Sequence, residues 1–338
     1  METDYRHALI VGKFAPLHAG HQRMIETALS EADRLTILVY ANPDFTAMPQ
    51  AMRAGWLRAL YPQADVLEPQ SPPPDESTDD VHRQHVRDFL RDRGILVDVV
   101  YTCEDYGDGF AQVLGVSHRR LDGRLTGKGD NGVEIPVSAT LIRSDPFRWR
   151  HLLHPVVYSH FIARIVLLGA ESTGKSTLAA ALGRHFATQS VAEYGREVWE
   201  AKGGKLALAD YVDIAVGHRE RETAAVAYCR DYLFVDTNAL TTMFFSHYYN
   251  RDSLPELRRL ADDCRGRYAL VLVCDDDIAF EQDGWRDNEV WRGRMQGMVL
   301  HDLRVRGIDF HTVSGSLAKR ISQVSTLLPP APDLNLRA

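Results

Sequence analysis

The chain has 338 residues, enough for two domains, and its apolar and charged fractions are those of a folded globular protein. A net charge of −7 lacks the broad basic signature of a nucleic-acid binder. There is no apolar run long enough to cross a bilayer, and the acidic start Met1-Glu2-Thr3-Asp4 lacks a signal-peptide core, so a cytoplasmic protein without membrane association is expected.

His7–Gly12 reads as a short buried strand, followed by a loop and a helical pattern from Gly20 to Asp33 with Met24, Ile25, Ala28 and Leu29 on one face. Leu35–Tyr40 reads as a second strand, Met48–Tyr61 as a helix and Asp65–Leu67 as a short strand. The Pro-rich loop Ser71–Pro74 leads to a polar amphipathic helix, Asp79–Arg93, and a strand at Val97–Tyr101. The rhythm restarts with a strand at Arg164–Leu168, a helix at Lys175–Phe186, and strands at Leu233–Val235 and Ala269–Cys274. Such alternation predicts parallel sheets covered on both faces, with ligands at the C-terminal ends of the strands. The domain boundary is expected near 157–163, and the tail Pro329–Ala338 is expected to fray. The cysteines Cys103, Cys229, Cys264 and Cys274 form no C-x-x-C pair and read as reduced thiols with no metal and no disulfide.

Between the first strand and first helix stands Gly12-Lys13-Phe14-Ala15-Pro16-Leu17-His18-Ala19-Gly20-His21. The H-x-G-H string resembles the signature of class I nucleotidyltransferases, in which a phosphate attacks the α-phosphate of ATP and expels pyrophosphate. That reaction needs positioning and charge neutralisation rather than a protein nucleophile. Imidazole donors, a glycine allowing close approach and a helix N-terminus suit it. Val137-Ser138-Ala139-Thr140-Leu141-Ile142-Arg143 resembles the S-x-T-x-x-R segment of the same superfamily, with Val137 where Ile is usual. Thr102-Cys103-Glu104-Asp105-Tyr106-Gly107, at a strand end, is placed to meet an adenosine. Arg53 and Trp56 lie in a helix that could face a pyridine ring.

In the second half, Gly169-Ala170-Glu171-Ser172-Thr173-Gly174-Lys175-Ser176 fits the P-loop pattern between a strand and a helix. Its backbone N–H groups would wrap phosphates, Lys175 would reach the β/γ-phosphates and Ser176 Oγ would hold Mg²⁺. Glu193-Tyr194-Gly195-Arg196-Glu197 places carboxylates and a guanidinium where a small-molecule kinase needs a base and a cation. Leu233-Phe234-Val235-Asp236 ends in an acid resembling a Walker B carboxylate, which makes Asp236 a second Mg²⁺ candidate. Arg286, Arg292 and Arg294, after Asp275-Asp276-Asp277, could belong to a lid over the phosphates.

Together, GKFAPLHAGH, SATLIR, GAESTGKST, EYGRE, VDTNALTT and DGWR resemble the bifunctional nicotinamide-nucleotide adenylyltransferase/ribosylnicotinamide kinase (NadR-like) family, from Gly12 to about Arg294. The resemblance implies an α/β chain of two Rossmann-like parallel-sheet domains: an adenylyltransferase at 1–158 and a P-loop kinase at 159–330. It implies phosphorylation of nicotinamide riboside by ATP, then adenylyl transfer to nicotinamide mononucleotide, giving NAD and pyrophosphate. By position, Gly12, Lys13, Phe14, His18, His21, Ser138, Thr140 and Arg143 would serve the transferase site. Gly169, Glu171, Ser172, Thr173, Gly174, Lys175, Ser176, Thr177, Arg196 and Arg286 would serve the kinase site, with ATP and Mg²⁺ as cofactors. Glu193 and Asp236 would share the roles of base and Mg²⁺-organising carboxylate. Gly195 stands where Ala is common. Some relatives begin with a helix-turn-helix repressor domain, but here the first strand starts at His7, so no DNA-binding domain is expected. A homo-oligomer is compatible with the sequence. Two rival readings are a coenzyme A synthase, which would not account for EYGRE or VDTNALTT, and a nucleotide-sensing regulator, against which the full set of charged phosphate ligands stands.

Overall fold

A computed structural model describes residues 3–103, 107–121, 125–128, 134–279 and 289–336. The chain forms two compact units, Met1–Tyr158 with Pro332–Ala338, and Ser159–Ala331.

The first unit contains, in order, β1 (Tyr5–Gly12), α1 (Ala19–Glu31), β2 (Ala32–Val39), α2 (Gln50–Leu60), β3 (Asp65–Leu67), α3 (Asp79–Asp92), β4 (Val99–Thr102), α4 (Gly107–Leu114) and β5 (Ser117–Arg120). A small antiparallel pair, β6 (Thr126–Lys128) and β7 (Glu134–Pro136), precedes α5 (Ala139–Ser144) and α6 (Pro155–Tyr158). The main sheet has the order β3-β2-β1-β4-β5 and every pairing is parallel. Covered on both faces, β1 carries a continuous apolar run, with Ala8, Leu9 and Ile10 wholly buried. From β1 the chain goes first to β2 and β3 on one side and then to β4 and β5 on the other. The loop after β1 therefore opens at the point where the strand order reverses, which is where open α/β sheets bind ligands.

The second unit contains β8 (Ala163–Leu168), α7 (Lys175–His185), β9 (Gln189–Val191), α8 (Tyr194–Ala201), α9 (Leu208–Val226), β10 (Tyr232–Asp236), α10 (Ala239–Asn250), α11 (Pro255–Asp262), β11 (Leu270–Cys274), α12 (Glu289–Val305), β12 (His311–Val313) and α13 (Leu317–Leu327). Its parallel sheet has the order β12-β11-β8-β10-β9. Ile165, Leu167, Leu178, Leu182, Phe234, Leu272, Val313 and Val324 form its core. Again the first strand lies in the middle, and the loop after it meets the end of β10.

Two expectations are corrected here. Arg53 and Trp56 do not face a ligand. Trp56 is buried in the core, and the fully buried Arg53 guanidinium donates to the carbonyls of Met48, Lys13 and Tyr40 and to the Asp44 carboxylate. Arg53 thus ties the loop after β1 to the end of β2. The tail does not fray throughout, because Leu334 is buried, Asn335 accepts from Arg143 Nε at 3.0 Å, and the Leu336 carbonyl accepts from Thr46 N at 3.0 Å.

Replacing Arg53 by Met would leave three carbonyls without their donor and Asp44 without its cation. Loss of a buried charged hub of this kind costs about 3 kcal/mol. Urea denaturation of Arg53→Met should show a fall of that order in the stability of the first unit.

Candidate active sites

In the first unit, the C-terminal ends of β1, β2 and β4 open into a cleft of about 570 Å³, whose walls include Gly12, Lys13, His18, Gly20, His21, Tyr40, His82, Cys103 and Ser138. His18 is the N-cap of α1. Its Nδ1 accepts from Gly20 N at 3.1 Å, while His21 Nδ1 accepts from His18 N at 3.4 Å. The two rings stack with centroids 3.8 Å apart. Because each Nδ1 accepts a backbone N–H, each neutral ring carries its proton on Nε2. Burial lowers the His18 pKa to about 4; burial, then the neighbouring His18, holds His21 well below its usual value. At neutral pH the pair is therefore two uncharged donors at a helix N-terminus.

The glycines have steric reasons. A Cβ on Gly20 would come within 3.0 Å of the His18 ring, and one on Gly12 within 2.9 Å of Phe14. Phe14 itself is buried, edge-on to His21 with centroids 5.1 Å apart. Its side chain packs against that ring and is not part of the cleft wall. Lys13 stands at the cleft mouth, 3.3 Å from Asp75. Ser138 caps α5 by accepting from Leu141 N. Thr140 and Arg143 are absent from the cleft wall. Arg143 donates to the Ala15 carbonyl at 2.5 Å and to Thr140 Oγ1 at 3.0 Å, in addition to Asn335. Thr102 is buried and hydrogen-bonded to His118, whereas Cys103 reaches the cleft. Glu104, Asp105 and Tyr106 lie outside the described residues.

In the second unit, a cleft of about 310 Å³ brings together Glu171, Ser172, Thr173, Gly174, Lys175, Ser176, Thr177, Glu193 and Arg196. Gly174 is the N-cap of α7, with φ +79° and no side-chain cap, so the first N–H groups of this helix face the cleft. Gly169 has φ +133°, and a Cβ there would lie 2.7 Å from the Cys274 carbonyl. Lys175 Nζ donates to the Ala170 carbonyl at 2.7 Å. Two residues that the motifs do not contain hold the loop. Gln296 accepts from Ala170 N and donates to the Cys274 carbonyl. The buried Arg320 donates to the Thr173 and Asp275 carbonyls and to Asp277.

Asp236, at the end of β10 beside β8, is almost fully buried, and neither carboxylate oxygen has a hydrogen-bond partner among the described residues. A buried, unsatisfied carboxylate is costly unless a cation completes it. A carboxylate of this kind suits Mg²⁺, which takes one or two carboxylates plus phosphate oxygens, and Ser176 in the first turn of α7 supplies a hydroxyl to the neighbouring cleft. Glu193 lines the cleft just before α8, and burial together with the Asp236 charge pushes it up to about 7. Glu197, the other acid of EYGRE, forms a bidentate pair with Arg221 on the surface, at 2.6 and 2.7 Å. Beyond the carboxylates stands an aromatic wall of Tyr194, Trp199, Tyr211, Phe245 and Tyr249, with Thr241, Thr242 and His218. Most of that wall carries no motif; it becomes visible only when α8, α9 and α10 pack together. Arg286 and the rest of the DGWR segment lie outside the described residues. Arg292 is buried and donates to the Asp276 and Ile278 carbonyls, so it anchors the chain after β11 and is not a lid residue.

The fold and these two clefts define a nucleotidyltransferase-like unit joined to a P-loop unit. The cytidylyltransferase-like family profile matches residues 9–144, and the AAA domain profile matches residues 164–320. The trifunctional NAD biosynthesis/regulator protein NadR of Escherichia coli (strain K12) is 29% identical over 325 residues, covering 89% of this chain and 77% of that protein. The protein of the same name from Salmonella typhimurium (strain LT2) matches to the same extent. A crystal structure of NadR protein in complex with NAD and AMP-PNP shares the fold, with a TM-score of 0.54, 22% identity, and coverage of 95% of this chain and 94% of that one. NadR protein in complex with NR gives a TM-score of 0.57 at 22% identity, covering 96% and 95%. The resemblance carried by the motifs is borne out: the chain is similar to the NadR proteins along most of its length.

His18 supplies a pH test of the first cleft. Its folded pKa of about 4 lies below the 6.5 of a free imidazole, so the unfolded chain binds the extra proton between them. Its contribution to stability is present above pH 6.5 and is lost as the pH falls towards 4, by about 3 kcal/mol in full. The difference between the native protein and His18→Gln, followed by denaturation from pH 7 to pH 4, should narrow over that window.

Proposed function

We propose that the chain makes NAD in two consecutive steps: its second unit phosphorylates nicotinamide riboside with ATP, and its first unit transfers AMP from a second ATP to the resulting mononucleotide. The observation that supports this most is the coexistence of a donor-lined H-x-G-H cleft with a P-loop cleft whose acceptor side is aromatic. Similarity over most of the chain to the NadR proteins supports the choice of substrates.

In the kinase unit, the loop N–H groups and Lys175 would bind the β- and γ-phosphates, and Ser176 with Asp236 would hold Mg²⁺. The ion would supply charge neutralisation between the phosphates and the transferred group. Glu193 is the base: its raised pKa is matched to taking the proton of the riboside 5′-hydroxyl near neutral pH. Asp236, buried at the end of β10, is assigned to the metal instead. Arg196, exposed at the cleft rim, would meet the transferring phosphoryl group. The aromatic wall offers stacking faces for the pyridinium ring, with a cation–π gain.

In the transferase unit, the mononucleotide phosphate attacks the α-phosphorus of ATP and pyrophosphate leaves. The two neutral Nε2–H donors and the N-terminus of α1 face the developing charge, and Lys13 adds a cation at the rim. Ser138, Thr140 and Arg143 are assigned to the triphosphate, with Arg143 exchanging its present hydroxyl and amide partners for phosphate oxygens. The domain assignment, 1–158 for transfer and 159–330 for phosphorylation, follows from these sites. Cytoplasmic action suits an enzyme of soluble substrates, and no helix among the described residues is long and apolar enough to cross a membrane.

Two experiments test this reading. Lys175→Ala should abolish riboside phosphorylation and leave adenylylation of the mononucleotide intact, while His21→Ala should do the reverse; loss of both activities in either folded variant would refute two separate sites. In addition, kcat/KM for phosphorylation should rise with pH up to about 7, because Glu193 must be deprotonated to act. Glu193→Gln should remove that limb and lower kcat by about 10²- to 10⁴-fold, measured as ADP release across pH 5–9.

A further inference from the structure

Thr237, immediately after Asp236, has φ +68°. A β-branched residue in the left-handed region is a true outlier, kept only where the surroundings impose it. Two hydrogen bonds impose it here. The Thr237 N–H reaches the Leu167 carbonyl at 3.0 Å, continuing the line of the β10–β8 pairing. Its carbonyl lies 3.2 Å from Nε2 of His218. A carbonyl only accepts, so His218 is the donor and its tautomer is set. Burial lowers the pKa of this ring, which keeps it neutral, and it comes from α9, an element separate from β10. The turn then passes to Asn238, whose side chain caps α10 by accepting from Leu240 N.

The geometry points to His218 as a positioning residue of the phosphoryl-transfer site: its bond to the Thr237 carbonyl locks the left-handed turn that holds the Asp236 carboxylate where it can meet a cation. Three further facts converge on this. Among the described residues nothing hydrogen-bonds the Asp236 oxygens, so its orientation depends on the backbone that carries it. His218, Thr237 and Thr241 all line the P-loop cleft, so the turn is part of its wall. The sequence offers no cheaper residue for the turn, since neither Gly nor Asn stands at 237. The strain at Thr237 is thus carried next to the carboxylate, and His218 is the contact that sustains it.

This inference rests on the reading of the second unit as a Mg²⁺-dependent kinase, and the test separates the two. In the native background, His218→Ala should lower kcat for riboside phosphorylation about tenfold or more, with KM for the riboside changed less than about twofold. In a chain already carrying Thr237→Gly or Thr237→Asn, residues that enter the left-handed region without the β-branch penalty, the same substitution should cost less than about threefold. An equal loss in both backgrounds overturns the proposal. So does a raised KM with kcat retained, which would make His218 an acceptor ligand through Nδ1. The second readout needs no turnover: calorimetric binding of a non-hydrolysable ATP analogue with and without Mg²⁺. His218→Ala should lose the gain in affinity that Mg²⁺ brings, and the double variant should recover it; this result stands whatever the acceptor is. His218→Gln, which keeps an N–H donor, should behave as the native protein in both assays, and supplies the comparison should the alanine variant fail to fold.

Discussion

Both clefts depend on one constraint: the first N–H groups of an α-helix have no partner inside the helix. In each unit the helix after the central strand begins at the mouth of the sheet, so these donors must be met there. The units meet them differently. In α1, His18 and His21 cap each other reciprocally, and two imidazole donors replace the backbone donors they satisfy. In α7 the cap is Gly174, which has no side chain to offer, and the donors stay available to an anion. The same fold rule thus yields one site faced by rings and another faced by backbone.

Electrostatics then separates the chemistry. In the first cleft burial keeps the histidine pair uncharged, which suits donation to an anion without binding it too tightly before reaction. The second sets two acids against each other, and the cleft-facing one, Glu193, is the one whose proton affinity rises. A carboxylate whose proton affinity is raised by burial and a neighbouring acid is the kind of group that can take up a proton near neutral pH.

Buried polar side chains hold these arrangements in place. Arg53 joins three carbonyls around the loop after β1, while Gln296 and Arg320 brace the P-loop from α12 and α13. Such groups are expensive to bury and are retained only when every donor finds an acceptor. Each fixes backbone, and through it the donors that face the clefts.

The alternating strands and helices, the glycine-bounded loops and the position of His18, His21, Lys175, Glu193 and Asp236 were legible from the sequence, because they are local: a period, a turn or a spacing along the chain decides them. The edge strands β5 and β12 were not, since short polar strands such as Ser117–Arg120 are made by their neighbours and not by their own pattern. Nor was the fate of Arg53 and Arg292, whose charge suggested a ligand until packing turned each inward. The bracing by Gln296 and Arg320, the aromatic wall, the grip of His218 on Thr237 and the return of Leu334–Leu336 to the first unit join residues far apart in the chain. Local preference carries no information about such meetings. They are decided when the sheets form and bring distant elements within hydrogen-bonding distance, which is why the sequence determined the chemistry available to this protein and the tertiary structure decided which residues hold it in place.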